Sequence, residues 1–151
     1  MKKFCLLAIC SVVLLVVAPA TRSQSGARQG PDVVRDPEME KDSLHNLEVA
    51  RQYFKLRKAY KASLARCEEI LAGNPTFSKI DEVLFIAGES SLRLSENRGK
   101  QAVKTATDKL REDARDYLSQ LVNSYPDSKF KDEALESLKS LGGPKPKESK
   151  P

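Results

Sequence analysis

SLARCEEILAGNP at residues 63–75 and ARDYLSQLVNSYP at residues 114–126 are two stretches that share one order of apolar residues before a proline. Their apolar positions recur every three or four residues, which is typical of one face of an α-helix. When the stretches are aligned on the prolines, three positions correspond: Ser63 with Ala114, Cys67 with Leu118, and Ile70 with Leu121. The pattern predicts a repeated unit whose second helix ends at the proline.

The helical period continues on both sides of these stretches, from Arg35 to Leu141, without the alternation of period two that is typical of strands. Residues that end helices interrupt it at residues 59–60, 73–75, 97–99 and 126–128. We therefore predict an all-α fold of about five helices in antiparallel pairs.

Several residues mark where these helices start. Asp36-Pro37-Glu38 has the cap, the proline and the early acid of a helix N-terminus. Ser78 with Asp81 predicts the cap of the third helix, and the apolar stripe of the fourth begins at Val103. Gly88 falls inside the third helix, where the absence of a side chain lets two helices approach closely.

The first twenty residues resemble a secretory signal. Two lysines precede an apolar run that ends in small residues at Ala18 and Ala20, so we expect cleavage after Ala20. An uncleaved anchor is the alternative, because the apolar stretch is close to the minimum of ~17 residues that spans a bilayer. Cys10 follows the bulky Ile9, so we do not expect a lipid anchor there.

Composition divides the rest of the chain into three parts. The polar segment after the signal predicts a flexible leader, and the proline- and lysine-rich C-terminus predicts a disordered tail. The predicted organisation is a signal peptide at 1–20, a leader at 21–35, a helical domain at 36–141 and a tail at 142–151.

Charge and cysteine content exclude some classes of protein. Without residues 1–20 the chain has 24 basic and 21 acidic residues, a net charge of +3 with no basic stripe on any predicted helix. Proteins that bind nucleic acid have such a stripe, so we expect no nucleic-acid partner. Only Cys67 remains after cleavage, which excludes a disulfide within the monomer.

No group of residues predicts catalysis. His45 is the only histidine, and with Cys67 it cannot supply the three or four ligands of a zinc site. Glycine loops that bind phosphate are absent, and adjacent acidic pairs such as Glu68-Glu69 do not face one another on a helix. We therefore predict no enzyme activity, no catalytic or metal-binding residue, no cofactor and no small-molecule substrate.

A binding surface is the remaining prediction. Stacked helix pairs curve, and the first helices of the pairs line the concave side. Residues just off the apolar stripes of those helices are candidates for partner binding: Tyr53, Arg57, Glu89 and Arg93. The alternative for each is an ordinary position on a helix surface.

The repeated turn resembles the tetratricopeptide repeat. Pro75 and Pro126 are 51 positions apart rather than the ~34 of that repeat, so the second unit contains an insertion, around residues 95–107.

A closer resemblance, over Leu44 to Leu141, is to the outer-membrane assembly lipoprotein family (BamD, also called YfiO). The residues that carry it are His45, Val49-Ala50, Tyr53-Phe54, Arg57, Ala59-Tyr60, Ala62, Arg66, Leu71, Pro75 and the turn Tyr125 to Phe130. It matches the C-terminal repeats of that family, which dock on the periplasmic domains of the barrel-inserting subunit. The resemblance adds Arg66 to the candidates for partner binding.

The sequence therefore predicts a periplasmic scaffold for protein partners, associated with the outer membrane and acting in outer-membrane protein assembly. Membrane association is expected only through partners or an uncleaved signal. The alternative is a coordinator of the Tol-Pal or peptidoglycan type that uses the same repeat.

Overall fold

The computed structural model describes residues 35–101 and 104–147, and throughout these ranges the regular structure is helical, without strands. The helices are α1 (Pro37–Arg51), α2 (Tyr60–Gly73), α3 (Ile80–Ser95), α4 (Thr107–Ser124) and α5 (Lys131–Lys139). A π-helical segment, Gln52–Arg57, extends α1. The predicted all-α class and the five helices are confirmed. The predicted signal and most of the leader lie outside the described residues.

The first predicted helix start is confirmed and two others are wrong. The Asp36 carboxylate accepts hydrogen bonds from the N–H groups of Glu38 (2.9 Å) and Met39 (3.4 Å). Ser78 does not cap α3, since the helix begins at Ile80 without a side-chain cap; the N–H of Ser78 donates to the Glu40 carboxylate. Ala106 is extended, so α4 begins later than its apolar stripe predicted.

Contacts at both ends show that α1 and α2 form an antiparallel hairpin. Asn74, just after α2, donates from Nδ2 to the Ser43 hydroxyl near the start of α1, at 3.1 Å. At the opposite end, the rings of Phe54 and Tyr60 meet edge to face with centroids 5.6 Å apart. One short link of chain, residues 58–59, therefore joins two helices that contact each other at both ends.

Helix α3 is the centre of the domain, with α2 on one side and α4 on the other. Its apolar residues, such as Val83 and Leu84, are fully buried, and so are the hydroxyls of Ser90 and Ser91, which have no hydrogen-bond partner among the described residues. The close approach predicted at Gly88 is confirmed. A Cβ atom there would lie 2.6 Å from Cγ of Leu118 on α4.

The described part of the insertion packs on the turn between α1 and α2. A Cβ atom on Gly99, whose φ is +104°, would lie 2.9 Å from the Tyr60 ring and 3.0 Å from the Lys58 carbonyl oxygen. The Gln101 side chain accepts a hydrogen bond from the Ala62 N–H at 3.2 Å. Because α2 has no side-chain cap of its own, Gln101 supplies one from outside the helix.

Helix α5 closes the other side of the core. The Phe130 ring before it stacks on Phe85 of α3, with centroids 4.9 Å apart. Gly143 adopts a left-handed conformation and its N–H donates to the Leu138 carbonyl at 2.8 Å, which ends the helix as predicted. The N–H of Lys145 then donates to the Ser119 hydroxyl of α4 at 2.8 Å. The predicted domain boundaries and the disorder of the tail stay predictions.

Candidate functional site

A groove of about 400 Å³ lies between the C-terminal half of α2 and helix α4. It is lined mainly by apolar and aromatic groups, with one carboxylate and one amide: Glu68, Leu71, Ala72, Pro75, Ile80, Tyr117, Gln120 and Tyr125. We call it the α2–α4 groove. Both repeated turns contribute to it, because Pro75 ends one unit and Tyr125 directly precedes the proline of the other.

The polar groups of the groove are a carboxylate and a phenol. The Tyr117 hydroxyl donates to Oε1 of Glu68 at 3.5 Å. Burial, together with the nearby Glu68 charge, raises the pKa of Tyr117 to about 12. Burial also raises the pKa of Glu68, although the hydrogen bond from Tyr117 acts in the opposite direction. An apolar segment with a hydrogen-bond donor at its edge would fit this combination.

The five predicted binding residues do not form one surface. Tyr53 and the exposed Arg57 lie on the π-helical segment, with the guanidinium 5.8 Å from the centroid of the Tyr53 ring. Arg66 is partly exposed on α2 and pairs with Glu69 at 2.5 Å. Glu89 is buried instead, and Arg93 beside it on α3 is partly exposed.

Arg93 and Glu89 join α3 to three other elements. The Arg93 guanidinium lies 4.6 Å from the Phe54 ring centroid and 5.5 Å from that of Tyr60. It pairs with Glu89, whose other oxygen accepts a hydrogen bond from the Ser137 hydroxyl of α5. Glu89 is only 6% exposed, so this geometry does not support a partner contact through its side chain.

The two side chains considered for catalysis are in different environments. His45 is exposed on α1, whereas Cys67 is fully buried, and burial raises the pKa of its thiol. Residues 35–101 and 104–147 contain no group of three or more histidine, cysteine or acidic side chains arranged to hold a metal ion. None of the helices in these ranges is long and apolar enough to cross a membrane.

Three residues of the groove were assigned to other roles by the sequence analysis. Tyr117 and Tyr125 lie on the apolar stripe of the fourth helix, and Glu68 belongs to one of the acidic pairs interpreted as surface charge. Helical periodicity alone cannot distinguish an aromatic residue that lines a groove from one that belongs to the core.

The packed helical hairpins and the groove between their second helices define a tetratricopeptide-like helical-repeat protein. The family model for YfiO, described as an outer membrane lipoprotein, matches residues 35–142. The chain belongs to this family, which supports its association with the outer membrane. No curated protein and no solved structure matches the chain.

Proposed function

We propose that the chain is a periplasmic scaffold in outer-membrane protein assembly and that a protein partner docks in the α2–α4 groove. The observation that carries the proposal is the family match over residues 35–142, which includes every residue that lines the groove. The predicted signal at residues 1–20 supports export. The resemblance to C-terminal repeats supports the barrel-inserting subunit as the partner.

The chemistry of the groove supports binding rather than catalysis. Tyrosine is enriched at the centres of interfaces because it buries a large apolar ring and keeps a hydroxyl for a hydrogen bond. Tyr117 of α4 and Tyr125 directly after it both line the groove, together with Ile80. We propose that no catalytic step takes place there, since the only titratable pair is a carboxylate with a phenol of raised pKa.

A site-specific photocrosslink tests the partner. The crosslinking residue replaces Gln120, which is exposed and lines the groove, and a matched control replaces the exposed Glu136 on α5. We expect the Gln120 position, but not the Glu136 position, to capture the barrel-inserting subunit in intact envelopes. Capture of Tol-Pal components at Gln120 instead would show that the second envelope system is the correct one.

The surface variants predicted from sequence serve as a comparison. Tyr125→Ala should weaken binding of the captured partner at least tenfold, because truncating an interface anchor costs about 2 kcal/mol or more. Tyr53→Ala, Arg57→Ala and Arg66→Ala test the remaining exposed candidates in the same titration. Loss of binding in those three variants and not in Tyr125→Ala would place the interface on α1 and α2 instead.

A further inference from the structure

Basic side chains collect at one end of the domain, which the even charge along the sequence did not indicate. No acidic residue occurs between Glu48 and Glu68, or between Glu96 and Asp108. The fold brings these two stretches together, because Gly99 packs on Lys58 and Tyr60. Six exposed cations result, which we call the basic rim: Lys55, Arg57, Lys58, Lys61, Arg98 and Lys100.

The cations of the basic rim are mostly unpaired. Of the six, only Arg98 has a carboxylate within 4.0 Å among the described residues, that of Glu96. Lys55 and Arg57 stand in the last turn of the π-helical segment, where the helix dipole favours cations, but the position of Lys61 does not serve helix stability. Lys61 stands in the first turn of α2, where the helix dipole favours acids and disfavours cations. A local arrangement that opposes stability is expected where a surface binds something.

An apolar residue projects from the middle of the rim. Leu56 is 80% exposed, the most exposed of the large hydrophobic side chains in the described ranges, and it lies between Lys55 and Arg57. A leucine with a cation on either side of it in the chain is a combination with which peripheral proteins contact anionic bilayers. The cations meet the headgroups while the apolar side chain enters the boundary of the acyl chains.

We propose that the basic rim is a membrane-contact surface that binds anionic lipid headgroups and inserts Leu56 into the bilayer interface. The rim is formed by a projecting turn and a loop rather than by a groove, so it fits a broad anionic plane better than a peptide. The contact is independent of the α2–α4 groove and of its partner. It differs from the sequence expectation that membrane association occurs only through partners or an uncleaved signal.

A single tryptophan tests the insertion even if the N-terminus also binds membranes. The chain has no tryptophan, so Leu56→Trp introduces a unique fluorophore, and Leu44→Trp provides a matched control at an exposed leucine of α1. With vesicles of phosphatidylethanolamine and phosphatidylglycerol, we expect the emission of Leu56→Trp, and not of Leu44→Trp, to shift to the blue. Vesicles of phosphatidylcholine should produce no shift.

A charge-matched pair of triple variants tests the cations. In the Leu56→Trp background, Lys55→Gln/Lys61→Gln/Lys100→Gln should lower vesicle affinity about a hundredfold, because each cation near an anionic surface contributes about fivefold. Lys41→Gln/Lys79→Gln/Lys139→Gln removes the same charge elsewhere and should leave affinity within about twofold. The melting temperature of the rim variant should change little, because Lys61 opposes the dipole of α2 whereas Lys55 stands in the last turn of the π-helical segment, where a cation is favourable.

Three outcomes would overturn the proposal. Equal shifts for Leu44→Trp and Leu56→Trp would show non-specific adsorption, and a shift that ignores phosphatidylglycerol would exclude a role for charge. A shift of Leu56→Trp that appears with an acidic envelope protein and never with vesicles would show that the rim binds protein instead.

Discussion

Arg51 and Glu82 form a bidentate ion pair that joins α1 to α3. Nε and Nη2 of the guanidinium donate to the two carboxylate oxygens at 2.6 and 2.7 Å. The Glu82 side chain is only 10% exposed and that of Arg51 is 27% exposed, so solvent screens the pair weakly. The pair bridges positions 31 residues apart in the chain and fixes how the first hairpin sits on the central helix.

Removing one partner should leave a charge in a largely buried position. We expect Arg51→Met to lower the free energy of unfolding by about 3 kcal/mol, near the lower end for a broken buried pair because Arg51 keeps some exposure. Urea denaturation followed by circular dichroism measures the change. Arg66→Met removes an exposed arginine paired with Glu69 and should cost less than about 1 kcal/mol. Equal losses of stability in Arg51→Met and Arg66→Met would contradict the conclusion that the Arg51–Glu82 pair is largely buried.

The same pair should make stability depend on pH in mild acid. Burial alone raises the pKa of Glu82, but the hydrogen bonds and charge of Arg51 outweigh it, so the pKa is below its ordinary value of 4.5. As the pH falls, Glu82 in the unfolded chain therefore binds its proton at a higher pH than Glu82 in the folded chain. The contribution of Glu82 to stability is complete above about pH 4.5 and is lost as the pH falls through the pKa of the folded state. Glu82→Gln should be less stable at neutral pH and lose less stability between neutral pH and acid than the unmodified chain.

Gly88 should tolerate no side chain. A methyl group there would meet Leu118 at 2.6 Å, so Gly88→Ala should cost about 1–3 kcal/mol through overpacking. Gly73→Ala is the matched control, because a Cβ there has nothing within 4 Å and replaces a flexible residue at the end of α2. We expect the control to be neutral or more stable in the same denaturation experiment. The double variant Gly88→Ala/Leu118→Ala should lose less stability than the sum of the losses in the two single variants, because the shortened Leu118 side chain makes room for the new methyl group.

Cys67 should be inert while the domain is folded. It is fully buried, and burial, aided by the charges of Glu68 and Glu82, raises the pKa of the thiol, so neither access nor thiolate is available. A disulfide reagent such as dithionitrobenzoate should label it only at the rate of domain opening, and rapidly in urea. Fast labelling of the native chain would show that α2 separates from α3 far more often than the packing implies.

Substitutions in the core and on the surface should differ clearly in how much they lower the free energy of unfolding. Leu118→Ala should cost about 2–5 kcal/mol, because the side chain is fully buried between α3 and α4. Leu64→Ala should cost less than Leu118→Ala, since Leu64 is only partly buried. Arg57→Ala should change the free energy of unfolding by less than about 0.5 kcal/mol. Thermal melts of the three purified variants give the order, and a destabilised Arg57→Ala would assign that residue a structural role.

Periodicity predicted the helices because helix formation is decided locally. The break before α2, which the structure places at residues 58–59, and the glycine stop at Gly143 depend on neighbouring residues or on a single backbone conformation. Start signals were less reliable where tertiary contacts compete. The N–H of Ser78 is bonded to Glu40 of α1, a partner that no local pattern specifies.

The candidate surfaces depend on contacts between distant parts of the chain, which one sequence does not specify. Glu89 and Arg93 were predicted on a concave face, but α5 and the end of α1 cover them. The basic rim could not be predicted because Lys58 and Gly99 are separated by the whole of α2 and α3 and pack together only in the folded chain. The apolar pattern similarly assigned Tyr117 to the core and gave no sign that it faces a groove.

The hydroxyls of Ser90 and Ser91, which have no hydrogen-bond partner in the described part of the chain, bear on how readily this domain could be engineered. A buried hydroxyl without a hydrogen-bond partner costs about 1–3 kcal/mol, and alanine would fill nearly the same space without that cost. Natural sequences seldom lie at their stability optimum, so substitutions at such positions can stabilise the domain during directed evolution. Combining alanine at these sites with altered groove residues would let the interface be redesigned while the scaffold absorbs the loss in stability.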